Sequence, residues 1–347
     1  MKYMFTSAGY RKPHHDAQGR FARLLSGLTF GILVLALLAG VCRAYETEHV
    51  MLVIIDGLRY TEGLGDSSHT FVPKMHALSE RGSIVEPFTN DRHTNTMRGI
   101  PAIWCGGWTE VIPFKDRSCG GSENIHCEMP TVFEYYRKGL SREQEDCIYV
   151  LGDVGCPWKA SLTPEYGPDF WPLYHSVGVT DMDVWEQATD ILETFHPSFF
   201  LLYLMRVDHF GHTGSWSYYT RSIELADSIV GMLWDYVEAD PVYAGKTTMF
   251  VTNDHGRHTH DFSGHDCDCD GCRTVQLLAV GPDIKRGLIS TVPRTICDIT
   301  PTIGELMGFP TEVATGSVMH ELLIPELRDT TVNAADGPGK VSTGRKP

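Results

Sequence analysis

The 347-residue sequence predicts an α/β fold: a doubly wound, mainly parallel sheet with helices on both faces and a loop-rich cap insertion. Two observations carry this expectation. First, short, mostly apolar runs stop at acidic residues. These are His49-Val-Met-Leu-Val-Ile-Ile55 before Asp56-Gly57, Phe199-Phe-Leu-Leu-Tyr-Leu-Met205 shortly before Asp208, and Thr247-Thr-Met-Phe-Val-Thr252 before Asn253-Asp254. Runs of this length suit strands buried on both faces, as in a parallel sheet. Second, segments with apolar residues at helical spacing alternate with them, the signature of βαβ units.

Element by element, a first strand ends at Ile55 and a helix follows over Val72 to Arg81. Residues 83–106 hold a strand-like stretch, a polar turn and the start of a second helix. Residues 107–175 are rich in Gly, Pro, Cys and aromatics and are expected to be a loop-heavy cap over the sheet edge. Its aromatics (Trp108, Phe114, Trp158, Tyr166, Phe170, Trp171) suit a small packed core better than a stacking platform. Asp181 to Phe195 reads as a helix before the second strand. Tyr218 to Val237, with Ile223, Ala226, Ile229, Val230 and Leu233 in register, reads as another. After the third strand come a loop from Gly256 to Arg273, a strand Val275 to Val280, and a late helix Ile296 to Met307 with Pro301 near its first turn. The domain is expected over residues 45–325. Residues 326–347, polar and rich in Gly and Thr, read as a disordered tail.

Composition narrows the function classes. Hydrophobic content is 42%, enough for a sizeable core, and the formal charge is −15. An acidic surface argues against a nucleic-acid polymer as partner, because phosphate backbones select basic surfaces. Lys2, Arg11, Lys12, Arg20 and Arg23 precede an uncharged stretch of nineteen residues, Leu24 to Cys42. This marks residues 1–44 as an export signal or membrane anchor and predicts an exported protein. Ala44 offers a cleavage point. Ten cysteines fit an oxidising compartment, with Cys119–Cys127 and Cys147–Cys156 as plausible local pairs. There is no N-x-Ser/Thr sequon.

The chemistry lies just past the strand ends. In open α/β sheets, ligands bind outside the carboxyl ends of the strands. Asp56, Asp208 and Asp254 are thus delivered to one edge, together with His212 and His255, and His265 follows on a returning loop. Crowded buried carboxylates repel unless cations separate them, so the pattern predicts a metal site, most economically with two metals. Carboxylate and neutral imidazole suit Zn²⁺, with Mn²⁺ or Fe as alternatives. A nucleophile is available in Thr94-Asn95-Thr96-Met-Arg98-Gly99, where Thr96 precedes a helix-like stretch. A helix start favours anions, and a metal there would activate a hydroxyl. Thr94 or Thr96 would equally suit a helix N-cap. His258 and His260 compete with His265 as the last ligand. His93 and His209 read as supporting or plain loop residues.

On these segments the chain resembles the alkaline phosphatase superfamily of metalloenzymes, which includes nucleotide pyrophosphatase/phosphodiesterases, cofactor-independent phosphoglycerate mutases and sulfatases. The resemblance runs over about residues 49 to 322. Asp56-Gly57-Leu58-Arg59 is similar to the first metal-binding strand end. Thr96 with Gly106 ten residues on resembles the nucleophile and the glycine closing its helix. Asp208-His-Phe-Gly-His212 and Thr252-Asn-Asp254-His255-Gly256 resemble the D-x-x-G-H and S/T-x-D-H-G segments, and His265 lies sixteen residues before Gly281-Pro282. Asp298-Ile-Thr-Pro301-Thr302 with Gly308 resembles the closing helix.

The resemblance implies an alkaline phosphatase-like fold and two divalent metals, Zn²⁺ first and Mn²⁺ second. One would take Asp208, His212 and His265, the other Asp56, Asp254, His255 and the Thr96 oxygen. It implies hydrolysis of a small anionic phosphomonoester or phosphodiester through a covalent phospho-threonine. Asn95 would donate to a non-bridging oxygen, and Arg98 or Arg59 would stabilise charge. A phosphotransferase using an acceptor other than water is the alternative, followed by a sulfatase-like enzyme or a non-catalytic metal-binding module. Sulfatases carry Cys or Ser in a C/S-x-P-x-R sequence, and Thr96-Met-Arg98-Gly departs from it. A mutase-type transferase insertion has no room here.

One cluster stands outside this scheme. Asp266-Cys-Asp-Cys-Asp-Gly-Cys272 opens like a calcium loop, but the twelfth position, Leu277, lacks the expected acid. Cys267, Cys269 and Cys272 with His258 or His260 would suit a structural zinc. The competing reading is a disulfide in a solvated acidic loop.

Overall fold

The computed structural model describes residues 45–115, 123–152 and 160–324. The expected export signal or anchor at 1–44, the expected tail 326–347, Cys119, Cys156 and Trp158 lie outside the described residues. Among the described residues no helix is long and apolar enough to cross a membrane.

The strands are β1 (His49–Ile55), β2 (Ser83–Val85), β3 (Phe88–Thr89), β4 (Val111–Lys115), β5 (Glu123–Cys127), β6 (Cys147–Leu151), β7 (Leu173–Ser176), β8 (Phe199–Leu204), β9 (Thr247–Thr252), β10 (Thr274–Val275), β11 (Leu277–Val280), β12 (Leu288–Ser290) and β13 (Arg294–Thr295). The helices are α1 (Pro73–Ser79), α2 (Thr96–Cys105), α3 (Val132–Leu140), α4 (Asp181–Phe195), α5 (Arg206–His212), α6 (Trp216–Ala239), α7 (Asp270–Arg273) and α8 (Ile299–Met307). Among the described residues eight strands form the main sheet in the order β12-β2-β11-β9-β1-β8-β6-β7. The run β9-β1-β8-β6-β7 is parallel throughout. The expected α/β fold is present, and the sheet is mixed because β11 runs antiparallel to both β9 and β2. Leu277, the first residue of β11, lies opposite Thr252, the last of β9, so the chain re-enters the sheet at the end where it left.

The strand pleat explains the two layers. Val50, Leu52 and Ile54 of β1 face one core with Phe199, Leu201 and Tyr203 of β8, covered by α2, α3 and α8. Met51, Val53 and Ile55 face the other with Phe200, Leu202 and Leu204, covered by α1, α4 and α6. Alternate residues point to opposite faces, so a strand apolar at every position is a strand covered twice.

The segment 107–175 corrects the expectation of a loop-heavy cap. It contributes a separate hairpin, β4–β5, but also α3 and two strands of the main sheet. Tyr135 and Tyr136 of α3 are buried in the core, and Trp108 and Tyr166 pack against it. Trp171 is anchored by its indole N–H, which donates to the Ser161 carbonyl at 2.7 Å. These aromatics serve packing, as their composition suggested.

Candidate metal centre

Strand register builds the site. Ile55 of β1 pairs with Leu204 of β8, and Ile54 pairs with Thr252 of β9, so three adjacent strands finish level with one another. Asp56 and Asp254 follow directly, and Asp208 sits in the first turn of α5. Asp208 and His212 are four residues apart on one helical face, with His212 Nε2 3.2 Å from Asp208 Oδ2. This short helix was not anticipated, because a seven-residue helix is too brief to show apolar periodicity. The backbone at Asp56 turns through Gly57, at φ +64°. A Cβ there would lie 2.6 Å from Asp208 Oδ1, so only glycine fits.

Thr96 occupies the first helical position of α2, beside the same strand ends. The cap is neither Thr94 nor Thr96. Asn95 is the N-cap, its side-chain oxygen accepting from the Arg98 N–H at 3.2 Å. Thr94 instead donates its hydroxyl to the Cys267 carbonyl at 3.0 Å. With the cap supplied by Asn95, the Thr96 hydroxyl is turned into the site, 3.4 Å from Asp56 Oδ1 and 3.2 Å from His255 Nε2. Gly99 lets α2 approach so closely, since a Cβ there would meet the Asp254 carbonyl oxygen at 2.8 Å. Gly106 closes the helix in the left-handed conformation.

The ligand atoms converge in two groups, Asp56-Asp254-His255 and Asp208-His255-His265, each within 4.8 Å. His212 adjoins the second, its Nε2 3.0 Å from His265 Nε2. The structure therefore gathers Asp56, Thr96, Asp208, His212, Asp254, His255 and His265. It also puts His255 at the junction of both groups. An open cleft of ≈ 340 Å³ is lined by Asp56, Met205, Asp208, His209, His212 and Thr213.

The electrostatics fit divalent cations. Asp254 is fully buried, and its Oδ2 has no hydrogen-bond partner among the described residues. Such an atom costs about 1–3 kcal/mol unless something cationic faces it. Burial and the neighbouring Asp56 push the Asp254 carboxyl well above the carboxylate range. Burial opposes charge on His255, but Asp254 and Asp56 outweigh it and push that imidazole up to about 10. The direction of both shifts shows a cluster that favours positive charge, which a divalent ion held there would supply. His265 is pushed down to about 4 by burial and by His255, which leaves it in the neutral form that ligates metals. Its Nδ1 lies 3.0 Å from the Thr94 carbonyl, so Nε2 is the nitrogen aimed at Asp208. This is the usual way a ligand imidazole is oriented.

Two residues of the site carry no sequence signature. Arg257, wholly buried, donates to Asp208 Oδ1 and to the Phe262 and Ser263 carbonyls. The Tyr203 hydroxyl donates to Asp56 Oδ2. Only the oddity of a tyrosine within an otherwise apolar strand, needing a partner for its hydroxyl, hinted at the second. Other candidates are engaged elsewhere. Arg98 pairs with Glu110 at 3.1 Å on the surface, and Arg59 pairs with Glu62 at 2.6 Å. The Asn95 amide donates to Asp266 Oδ1 at 2.8 Å. His93 packs edge-on against Trp108, and His209 against Phe210.

A sheet whose central strands end in a carboxylate–imidazole cluster beside a helix-start hydroxyl is an arrangement suited to divalent metals. A family model described as the metalloenzyme superfamily matches residues 174–311, and the alkaline phosphatase-like resemblance holds. Curated relatives include sulfatase ppz1 of Metarhizium majus (strain ARSEF 297), 28% identical over 93 residues, 26% of this chain and 22% of that one. Arylsulfatase K of Danio rerio is 31% identical over 114 residues, 30% of this chain and 20% of that one. The chain thus spans about a fifth of the length of these relatives. Similar solved structures include the 2-O GAG sulfatase BT1596, with a TM-score of 0.59 at 13% identity, covering 80% of this chain and 74% of that one. Murine ectonucleotide pyrophosphatase/phosphodiesterase 5 gives 0.55 at 14%, covering 80% and 100%. A phosphonate monoester hydrolase from Silicibacter pomeroyi gives 0.53 at 14%, covering 79% and 76%. At these identities the structural likeness is one of fold.

Proposed function

We propose that this protein hydrolyses small anionic phosphate esters, with Thr96 as the nucleophile and a two-metal site built from Asp208, His212 and His265 on one side and Asp56, Asp254 and His255 on the other. The observation that carries the reading is the Thr96 hydroxyl, uncommitted to capping and 3.4 Å from Asp56 Oδ1. Divalent ions held by these residues would lower the pKa of the hydroxyl and neutralise phosphoryl charge. The Thr96 oxygen attacks phosphorus and its proton passes to water in the open cleft. The ester P–O bond breaks and the alcohol departs with a proton. Water then cleaves the phospho-threonine and regenerates the hydroxyl. Asp56, held by Tyr203, keeps the nucleophile oriented. Arg257 keeps Asp208 oriented. In the murine neighbour a threonine-to-alanine variant is described as inactive in complex with AMP. The present reading transfers that dependence to Thr96.

The curated relatives favour a second reading, sulfate-ester hydrolysis. Threonine at position 96, where a sulfatase carries Cys or Ser, weighs against it. The test compares p-nitrophenyl phosphate, bis-p-nitrophenyl phosphate and p-nitrophenyl sulfate with Zn²⁺ or Mn²⁺, for wild type and Thr96→Ala. Turnover of a phosphate ester that vanishes in Thr96→Ala supports the proposal. Undiminished turnover in that variant overturns the nucleophile, and turnover of the sulfate alone moves the weight to the second reading.

A further inference from the structure

Outside the catalytic cluster, the loop from Gly256 to Arg273 gathers a second set of metal-binding side chains. His258, Cys267, Cys269 and Cys272 bring one ligand atom each to within 4.8 Å of one another. The imidazole is directed at the sulfurs: Nδ1 lies 3.0 Å from Cys267 Sγ, 3.3 Å from Cys272 Sγ and 3.9 Å from Cys269 Sγ. Cys267 and Cys272 stand 3.6 Å apart, sulfur to sulfur. A disulfide would hold them at about 2.05 Å. Zinc–sulfur bonds of about 2.3 Å in a tetrahedron give a sulfur–sulfur edge of about 3.8 Å. The observed spacing is therefore that of ligands around an ion. The Cys269 backbone N–H donates to Cys267 Sγ at 3.4 Å, the kind of bond that stabilises a ligating thiolate. Two of the interleaved acids are occupied elsewhere, Asp266 by Asn95 and Asp268 by Arg273. His260 is not in the group.

We infer that His258, Cys267, Cys269 and Cys272 form a structural zinc site that clamps the loop carrying the catalytic ligand His265. A Cys₃His set is a closed, four-ligand arrangement with no position left for substrate, which is the structural rather than the catalytic type. Binding would convert three thiols to thiolates and release their protons. The ligands bracket His265 on both sides in sequence. They also bracket Phe262 and Ser263, whose carbonyls hold Arg257. At Asp266 and Cys267 the loop is tied to the nucleophile segment, since Asp266 N–H donates to the Thr94 carbonyl at 3.1 Å and Thr94 donates to the Cys267 carbonyl. One ion would thus hold both His265 and the start of α2 in place.

The test replaces zinc with Co²⁺ in the full chain purified under reducing conditions. Thiolate-to-cobalt charge-transfer absorption separates this site from the catalytic cluster, which offers only nitrogen and oxygen. The bands are expected in wild type, retained in Asp254→Asn, and lost in both Cys269→Ser and His258→Asn, with bound zinc falling by one ion per chain in each. Retention in Asp254→Asn keeps this result separate from the fate of the hydrolase reading. Absence of the bands in wild type overturns the proposal, and so does native mass spectrometry showing a Cys267–Cys272 disulfide. The wild-type spectrum decides the matter even where a variant fails to fold.

Discussion

Thr96 and Asn95 divide two tasks that a single helix start presents together. Asn95 satisfies the free backbone N–H, and Thr96 is left half-buried with its hydroxyl facing Asp56 and His255. Thr96→Ala should lower kcat for the preferred ester by on the order of 10³-fold or more, while its thermal midpoint stays close to wild type. Asn95→Ala should show the reverse emphasis on folding, a loss of about 1 kcal/mol in urea unfolding from the missing cap. Equal activity of Thr96→Ala and wild type would remove Thr96 from the mechanism. Arg257 is the other decisive residue. Its guanidinium is buried against Asp208 in the same low-dielectric surroundings, so Arg257→Ala removes that carboxylate's buried guanidinium partner. The expected cost is about 3 kcal/mol by chemical denaturation, and a variant as stable as wild type would show that the pair is not structural.

Between elements, close approach and shared caps determine how the site is assembled. Gly99 sets the distance from α2 to the end of β9, where Asp254 lies. Gly99→Ala must push the helix away and carry Thr96 with it. A displacement of this kind should reduce kcat by about 10²-fold with little change in metal content, read from steady-state kinetics beside metal analysis. On the opposite face, Asp227 of α6 caps a different helix, accepting from Met75 N–H at 2.8 Å and Lys74 N–H at 2.9 Å at the start of α1. Burial raises its carboxyl from the usual 3.8 to about 6. In that window the folded protein holds a proton that the unfolded chain has released, so this contribution to stability falls as pH rises from about 3.8 to about 6, and is level above. The stability advantage of wild type over Asp227→Ala should therefore shrink between those pH values. An advantage that grows with pH would contradict the assignment.

For the whole molecule, metals and folding are linked. The strand ends converge only in the folded sheet, so ions that bind there bind the native state alone. Zinc at a hundred times its dissociation constant should stabilise the protein by about 2.7 kcal/mol, or roughly 5–10 °C in thermal midpoint. Chelation should reverse it. A midpoint indifferent to both zinc and chelator would argue against a cation between Asp56, Asp208 and Asp254.

Much of this architecture could be read directly from residue order. Apolar runs stopping at Asp56, Asp208 and Asp254 imply a sheet buried on both faces and acids at one edge, because solvation and pleat alternation act locally on each strand. The helix of Thr96 was legible from the polar segment before it and Gly106 after it. Other features depended on partners far away in sequence. The direction of β11 is not written in its sequence, because a connection of that length allows either orientation, and the strands inside 107–175 are too short to announce themselves. Arg257 looks like any loop arginine until Asp208, 49 residues away, is packed against it. The capping role passed from threonine to Asn95 because backbone direction at the helix start selects one side chain. That His258, and not His260, meets the three cysteines is likewise a matter of loop path. Local chemistry and periodicity are written in the order of the residues, whereas pairings across the chain exist only once the backbone has closed on itself and burial has made each unpaired charge costly.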